Sequence, residues 1–129
     1  MNVHFDTRKP ASALDDIYQW ADTALVHLTN WEPLERAVPS KTYELMEMGI
    51  HISGVVAGEA ASLIRGNHAG DVVEPESPQQ LAALWIELID NPSRLEVGDT
   101  GKNWVSTQRD KVVPEVIETL VGGVDRERR

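Results

Sequence analysis

The sequence predicts an α/β fold, a parallel sheet of about four strands with helices on both faces. Three observations carry that expectation. Short apolar runs alternate with stretches whose apolar residues recur at helical spacing, the pattern of strand–helix–strand units. The run Ala24-Leu25-Val26-His27-Leu28 is almost continuously apolar, the habit of a strand covered on both faces. Ser77-Pro78-Gln79-Gln80 opens a later helix with a capping serine, a proline at the first helical place and a glutamine at the third.

Taken in order, Asn2 to Phe5 reads as a first strand, with Val3 and Phe5 on one side. Pro10 and Ser12 mark a helix start, and Ser12-x-x-Asp15 has the form of a capping box. Leu14, Ile17, Tyr18 and Ala21 then keep helical spacing. After the strand at 24–28, Thr29 to Val38 forms a long connection holding Trp31, Glu32, Pro33, Glu35 and Arg36. Loops at strand ends of open α/β folds commonly carry function. Pro39 and Gly49 bracket the next helix, and Ile50 to Val56 follows as a strand running into Ala57-Gly58. Gly58 to Ile64 reads as a turn opening another helix. Asn67-His68-Ala69-Gly70 is turn chemistry before a short strand, Asp71-Val72-Val73. The helix from Ser77 carries the apolar stripe Leu81, Leu84, Trp85, Leu88 and Ile89 and ends at Asn91-Pro92. Leu95, Trp104 and Val105 suggest a helix interrupted by Gly98 and Gly101, and Pro114 starts another through Ile117, Leu120 and Val121. Residues 1–121 thus read as a single domain, with 122–129 as a fraying tail.

Composition narrows the function classes. A chain of 129 residues, 41% hydrophobic and 26% charged, suits one soluble domain with a real core. With no cysteine there is neither a disulfide framework nor a thiolate metal site, which fits a reducing cytoplasm. No apolar run reaches the ~20 residues of a membrane span, and the start at Met1 lacks the pattern of a signal peptide. A formal charge of −9 repels phosphate backbones and anionic lipid, so nucleic acid is not expected as a partner. His4, His27, His51 and His68 show no metal-ligand spacing, and no nucleophile elbow, P-loop or dinucleotide fingerprint occurs. Metal and dissociable cofactor sites are therefore not expected.

The helix between Pro39 and Gly49 is the stretch that invites a functional reading. Thr42, Leu45, Met46 and Gly49 fall at i, i+3, i+4 and i+7, a small or apolar face suited to lying on a sheet. Lys41 and Glu44 share another face near the helix start. If Ser40 is the N-cap, the capping-box place is held by Tyr43, so Glu44 falls one residue past that duty. A cation, a carboxylate and free backbone N–H groups at one helix start can receive an anionic, hydroxyl-rich ligand. A surface ion pair on a helix packed by its other face is the plainer alternative.

The run Val38-Pro39-Ser40-Lys41-Thr42-Tyr43-Glu44-Leu45-Met46-Glu47-Met48-Gly49 resembles a signature of retaining two-lobed (GT-B) family 4 glycosyltransferases. The resemblance continues through Gly58-Glu59-Ala60, Ala69-Gly70 and Val73-Glu74-Pro75-Glu76-Ser77-Pro78, and covers roughly residues 18 to 90. It implies a partial Rossmann-like lobe that binds the nucleotide-sugar donor and transfers a hexosyl group, without a bound metal, when joined to an acceptor lobe. Donor-binding residues carried over are Ser40, Lys41, Glu44, Gly58 and Glu59, with Glu44 accepting from ribose hydroxyls and Lys41 neutralising diphosphate charge. The family's earlier glutamate has no counterpart, since Arg36 holds its place. The same resemblance implies that the first lobe and two strand–helix units are missing. Asn2 to Phe5 is then expected to pair with Ala24 to Leu28, or the open sheet edge to meet a second copy or the missing lobe. The alternatives are a non-catalytic remnant that binds nucleotide weakly or serves as an interaction module, and an unrelated small α/β binding module.

Overall fold

A computed structural model describes residues 3–5 and 10–127 of the chain. Three strands, β1 (Ala24–His27), β2 (Ile52–Val55) and β3 (Gly70–Val73), form one parallel sheet in the order β1-β2-β3. Helices α1 (Ala11–Trp20), α2 (Ser40–Met48), α3 (Gly58–Gly66), α4 (Pro78–Asp90), α5 (Thr100–Thr107) and α6 (Val113–Glu127) complete the secondary structure, with short 3₁₀ turns at Glu32–Leu34 and Pro92–Leu95. A π-helical segment, Gln108–Val112, joins α5 to α6. α6 therefore runs across the boundary at 122 expected for a fraying tail.

The expected α/β class holds, and the expected fourth strand does not. Residues 3–5 are irregular, and Asn2 lies outside the described residues. Val3 is 54% and Phe5 92% exposed, so this segment buries almost nothing against β1 and makes no ladder with it. A short run with two apolar side chains offers too little burial to offset the cost of ordering it. The first helix also begins two residues earlier than its capping box implies. Pro10 precedes it, Ser12 lies inside it, and no side chain caps it.

Side-chain alternation along the strands divides the sheet into two unlike faces. On one face Ala24, Val26, Ile52 and Val56 pack with Leu45 and Met46 of α2 and with Ala60, Ala61 and Ile64 of α3. This is the core. The apolar face expected for α2 is the one that is buried, through Thr42, Leu45 and Met46. Gly49 ends α2 in the left-handed conformation at φ 71°, and the Ile50 N–H returns to the Leu45 carbonyl at 3.0 Å, a Schellman-type closure. The chain does not break at Gly101, which sits within α5 against Met46 and so lets α5 approach α2 closely. Tyr43 and Trp104 stack there with centroids 6.1 Å apart. The Arg109–Glu47 ion pair ties the π-helical segment to the same helix.

The second face is covered only in part. α4 lies over it through Leu84 and Leu88, and the Trp85 indole reaches Ser53 of β2. β1 shows alternating buried and exposed residues, with Leu25 and His27 outward, so the helical cover expected on both sides of this strand is absent. Ile89, expected in the buried stripe of α4, is 75% exposed for the same reason.

Candidate functional site

Every strand is followed by a helix, so the starts of α2, α3 and α4 gather at the carboxyl end of the sheet. That is where open α/β folds receive ligands. A cleft of about 560 Å³ opens there between the ends of β2 and β3, the start of α3 and the loop before α2. Arg36, Gly58, Glu59, Ser62, Arg65 and Glu74 are among its lining residues.

The loop builds its side of the cleft by successive turns. Leu34, Glu35 and Ala37 each donate a backbone N–H to a carbonyl three residues back, at 2.8–3.0 Å. This stacking aims the Glu35 carbonyl at the start of α3, where the Glu59 N–H donates to it at 2.7 Å. Gly58 makes that approach possible. Its φ is +66°, and a Cβ there would stand 2.1 Å from the Glu35 oxygen.

Charge in the cleft is mixed. Arg36 and Arg65 make no ion pair with any described residue, and both are exposed. Glu35, Glu59 and Glu74 face the same space. Glu59 lies in the first turn of α3, where a carboxylate interacts favourably with the helix dipole. Among the described residues there is no group of three or more histidine or acidic side chains fit to hold a metal.

The five residues named from the sequence do not share one cavity. Gly58 and Glu59 line the cleft. Glu44 lines a separate groove of about 500 Å³ between α1 and α2, with Asp15, Tyr18 and Gln19. Ser40 is exposed at the first helical place of α2, with Pro39 before it as the cap. Lys41 is half-buried, and neither residue lines the cleft or the groove. Lys41 and Glu44 form no ion pair, so the plainer reading of this pair is not what the structure contains.

No family model matches the chain, and neither a curated protein nor a solved structure does. The site must therefore be read from its own geometry.

A second constellation, at the amino end of the sheet, escaped the sequence reading. His51, 1% exposed, stands between Thr23 and Asp71. Its Nε2–H donates to Asp71 Oδ2 at 2.8 Å, which leaves Nδ1 to accept from the Thr23 hydroxyl at 2.7 Å. Thr23 Oγ1 also lies 3.1 Å from the His51 carbonyl and 2.8 Å from Ser53 Oγ. The Trp85 Nε1–H donates to Ser53 Oγ at 3.0 Å. On the far side Arg94 donates to Asp71 Oδ1 at 2.7 Å and to Glu87 Oε2 at 2.8 Å. Those two carboxylates, Glu87 foremost, hold the Arg94 pKa above its ordinary value. The network crosses all three strands and ties them to α4. No local motif marks it, because Thr23, His51, Ser53 and Asp71 meet only through sheet register. The one legible signal is polar residues placed two apart in an otherwise apolar strand, His51 and Ser53.

Proposed function

We propose that this chain is a nucleotide-sugar-binding lobe of a retaining glycosyltransferase, transferring a sugar from its donor when joined to an acceptor lobe. The observation that supports the reading most is the cleft at the carboxyl end of a parallel βαβαβ unit, lined by Gly58 and Glu59 and by two cations without ion-pair partners among the described residues. Its volume of about 560 Å³ lies within the ~300–1,000 Å³ of ordinary ligand sites. Arg36 and Arg65 supply positive charge for a diphosphate against the chain's overall negative field. In this reading they stabilise the charge that develops as the nucleoside diphosphate leaves. Ser40, Lys41 and Glu44 complete the donor-binding set of this reading from α2, outside the cleft itself, with Lys41 adding to the neutralisation of the diphosphate and Glu44 accepting from ribose hydroxyls. The Glu35–Glu59 backbone bond takes one amide of the α3 start, so the diphosphate draws mainly on side-chain cations there.

A second reading, a remnant that binds nucleotide weakly and serves as an interaction module, is favoured by one observation. Among the described residues strand β1 is an edge of the sheet, with Leu25 outward, open to a second copy or another lobe. Calorimetry with UDP and GDP tests the donor site. The enzyme-lobe reading expects Arg36→Ala, Arg65→Ala, Lys41→Ala and Glu44→Ala each to weaken binding by about 1.5–3 kcal/mol, the scale of hydrogen bonds to charged groups. Nucleotide affinity unchanged by all four substitutions overturns the donor-site assignment.

A further inference from the structure

A cavity of about 460 Å³ lies beside the buried network, between the start of β1, the second half of α4 and the turn that follows it. Its walls are apolar, built from Trp85, Leu88, Ile89, Pro92 and Leu95. Asp22 and Thr23 are its other lining residues. The side-chain polar hydrogens at this site are already committed. The Trp85 N–H goes to Ser53, and the Thr23 hydroxyl lies against His51 and Ser53. What remains is acceptor capacity, above all the Asp22 carboxylate, which is exposed and forms no ion pair with a described residue.

Trp85 adds a preorganised surface. The residue is 39% exposed, yet its polar end is pinned to a fully buried serine, so the indole is held rather than free to turn away. An aromatic ring and a carboxylate lining one apolar-walled cavity, with no uncommitted side-chain donor among the described residues that line it, favour a cation with an apolar body. The chain's charge of −9 favours the same sign of ligand. A neutral alcohol of equal size gains only a hydrogen bond to Asp22, and an anion is repelled by it.

We infer that this cavity binds a small apolar amine in its protonated form, with the ammonium at Asp22 and the body against Trp85, Leu88 and Leu95. The site is distinct from the carboxyl-end cleft and carries its own test. The full chain is titrated with tryptamine, and separately with the neutral indole-3-ethanol, with amide chemical shifts and calorimetry as readouts. Tryptamine is expected to bind one saturable site and to shift Thr23 and the α4 amides. Indole-3-ethanol is expected to bind roughly three- to tenfold more weakly, the range of an exposed ion pair plus a cation–π contact. Asp22→Asn lowers tryptamine affinity by a similar factor and leaves indole-3-ethanol unchanged. Ile89→Arg, at an exposed position, weakens tryptamine through like charge without touching the core. Saturating UDP leaves tryptamine affinity unaltered. Absence of saturable binding, equal affinity for the two probes, or indifference to both substitutions overturns the inference.

Discussion

Thr42 shows how a single residue records competing demands. Its side chain is fully buried on α2, and Oγ1 has no hydrogen-bond partner. Burying an unpaired hydroxyl costs on the order of 1–3 kcal/mol, while valine has nearly the same shape. Thr42→Val is therefore expected to raise stability by about 1 kcal/mol, read as a higher midpoint in a denaturant melt. A lower midpoint would mean that the hydroxyl has a partner after all. Gly58 presents the opposite case. Any Cβ there meets the Glu35 backbone, and φ +66° is itself strained for other residues. Gly58→Ala should cost about 1–3 kcal/mol and release the loop, so the Glu59 amide would exchange faster with solvent. Slow exchange in that variant would show that the latch is not held by glycine. Of these features the sequence disclosed only part. Gly49 and the buried face of α2 were legible because caps and helical spacing are local. Ser12 misled, since a capping pattern is only permissive and Pro10 starts the helix without it.

At the scale of elements, burial in α4 follows what lies opposite rather than its own apolar stripe. Leu84 and Leu88 are buried, whereas Ile89 is largely exposed. Leu84→Ala is expected to destabilise by about 2–5 kcal/mol because it leaves a cavity. Ile89→Ala should stay within about 0.5 kcal/mol, as an exposed substitution does. Equal shifts in the two melts would contradict the assigned face of α4. The strands are legible as short apolar runs, and β2 and β3 lie close to where those runs put them. The expected strand at 2–5 failed because a strand is defined by its partner, which no local pattern reveals. The Thr23–His51–Asp71 chain was invisible for the same reason. Its members come together only once β1, β2 and β3 take their register.

Across the whole molecule, the sheet is asymmetric. One face is sealed by α2, α3 and α5, and the other is covered only where α4 reaches. The carboxyl end holds a cleft with two cations that pair with no described residue, and the amino end holds a buried hydrogen-bonded network. The proposed donor lobe depends on that division, and the motif residues alone did not disclose it. Gly58 and Glu59 lie on the cleft, while Glu44 lies on a groove of its own. Cations facing solvent are screened by salt, so any nucleotide affinity at this cleft should fall between low ionic strength and physiological salt. The most direct test is an amide chemical-shift titration of the full chain with a UDP-sugar and a GDP-sugar. The donor-lobe account predicts shifts clustered at Gly58 to Ser62 and Arg65, extending to Ser40–Glu44. Shifts that are absent, or confined to Thr23 and α4, would contradict it.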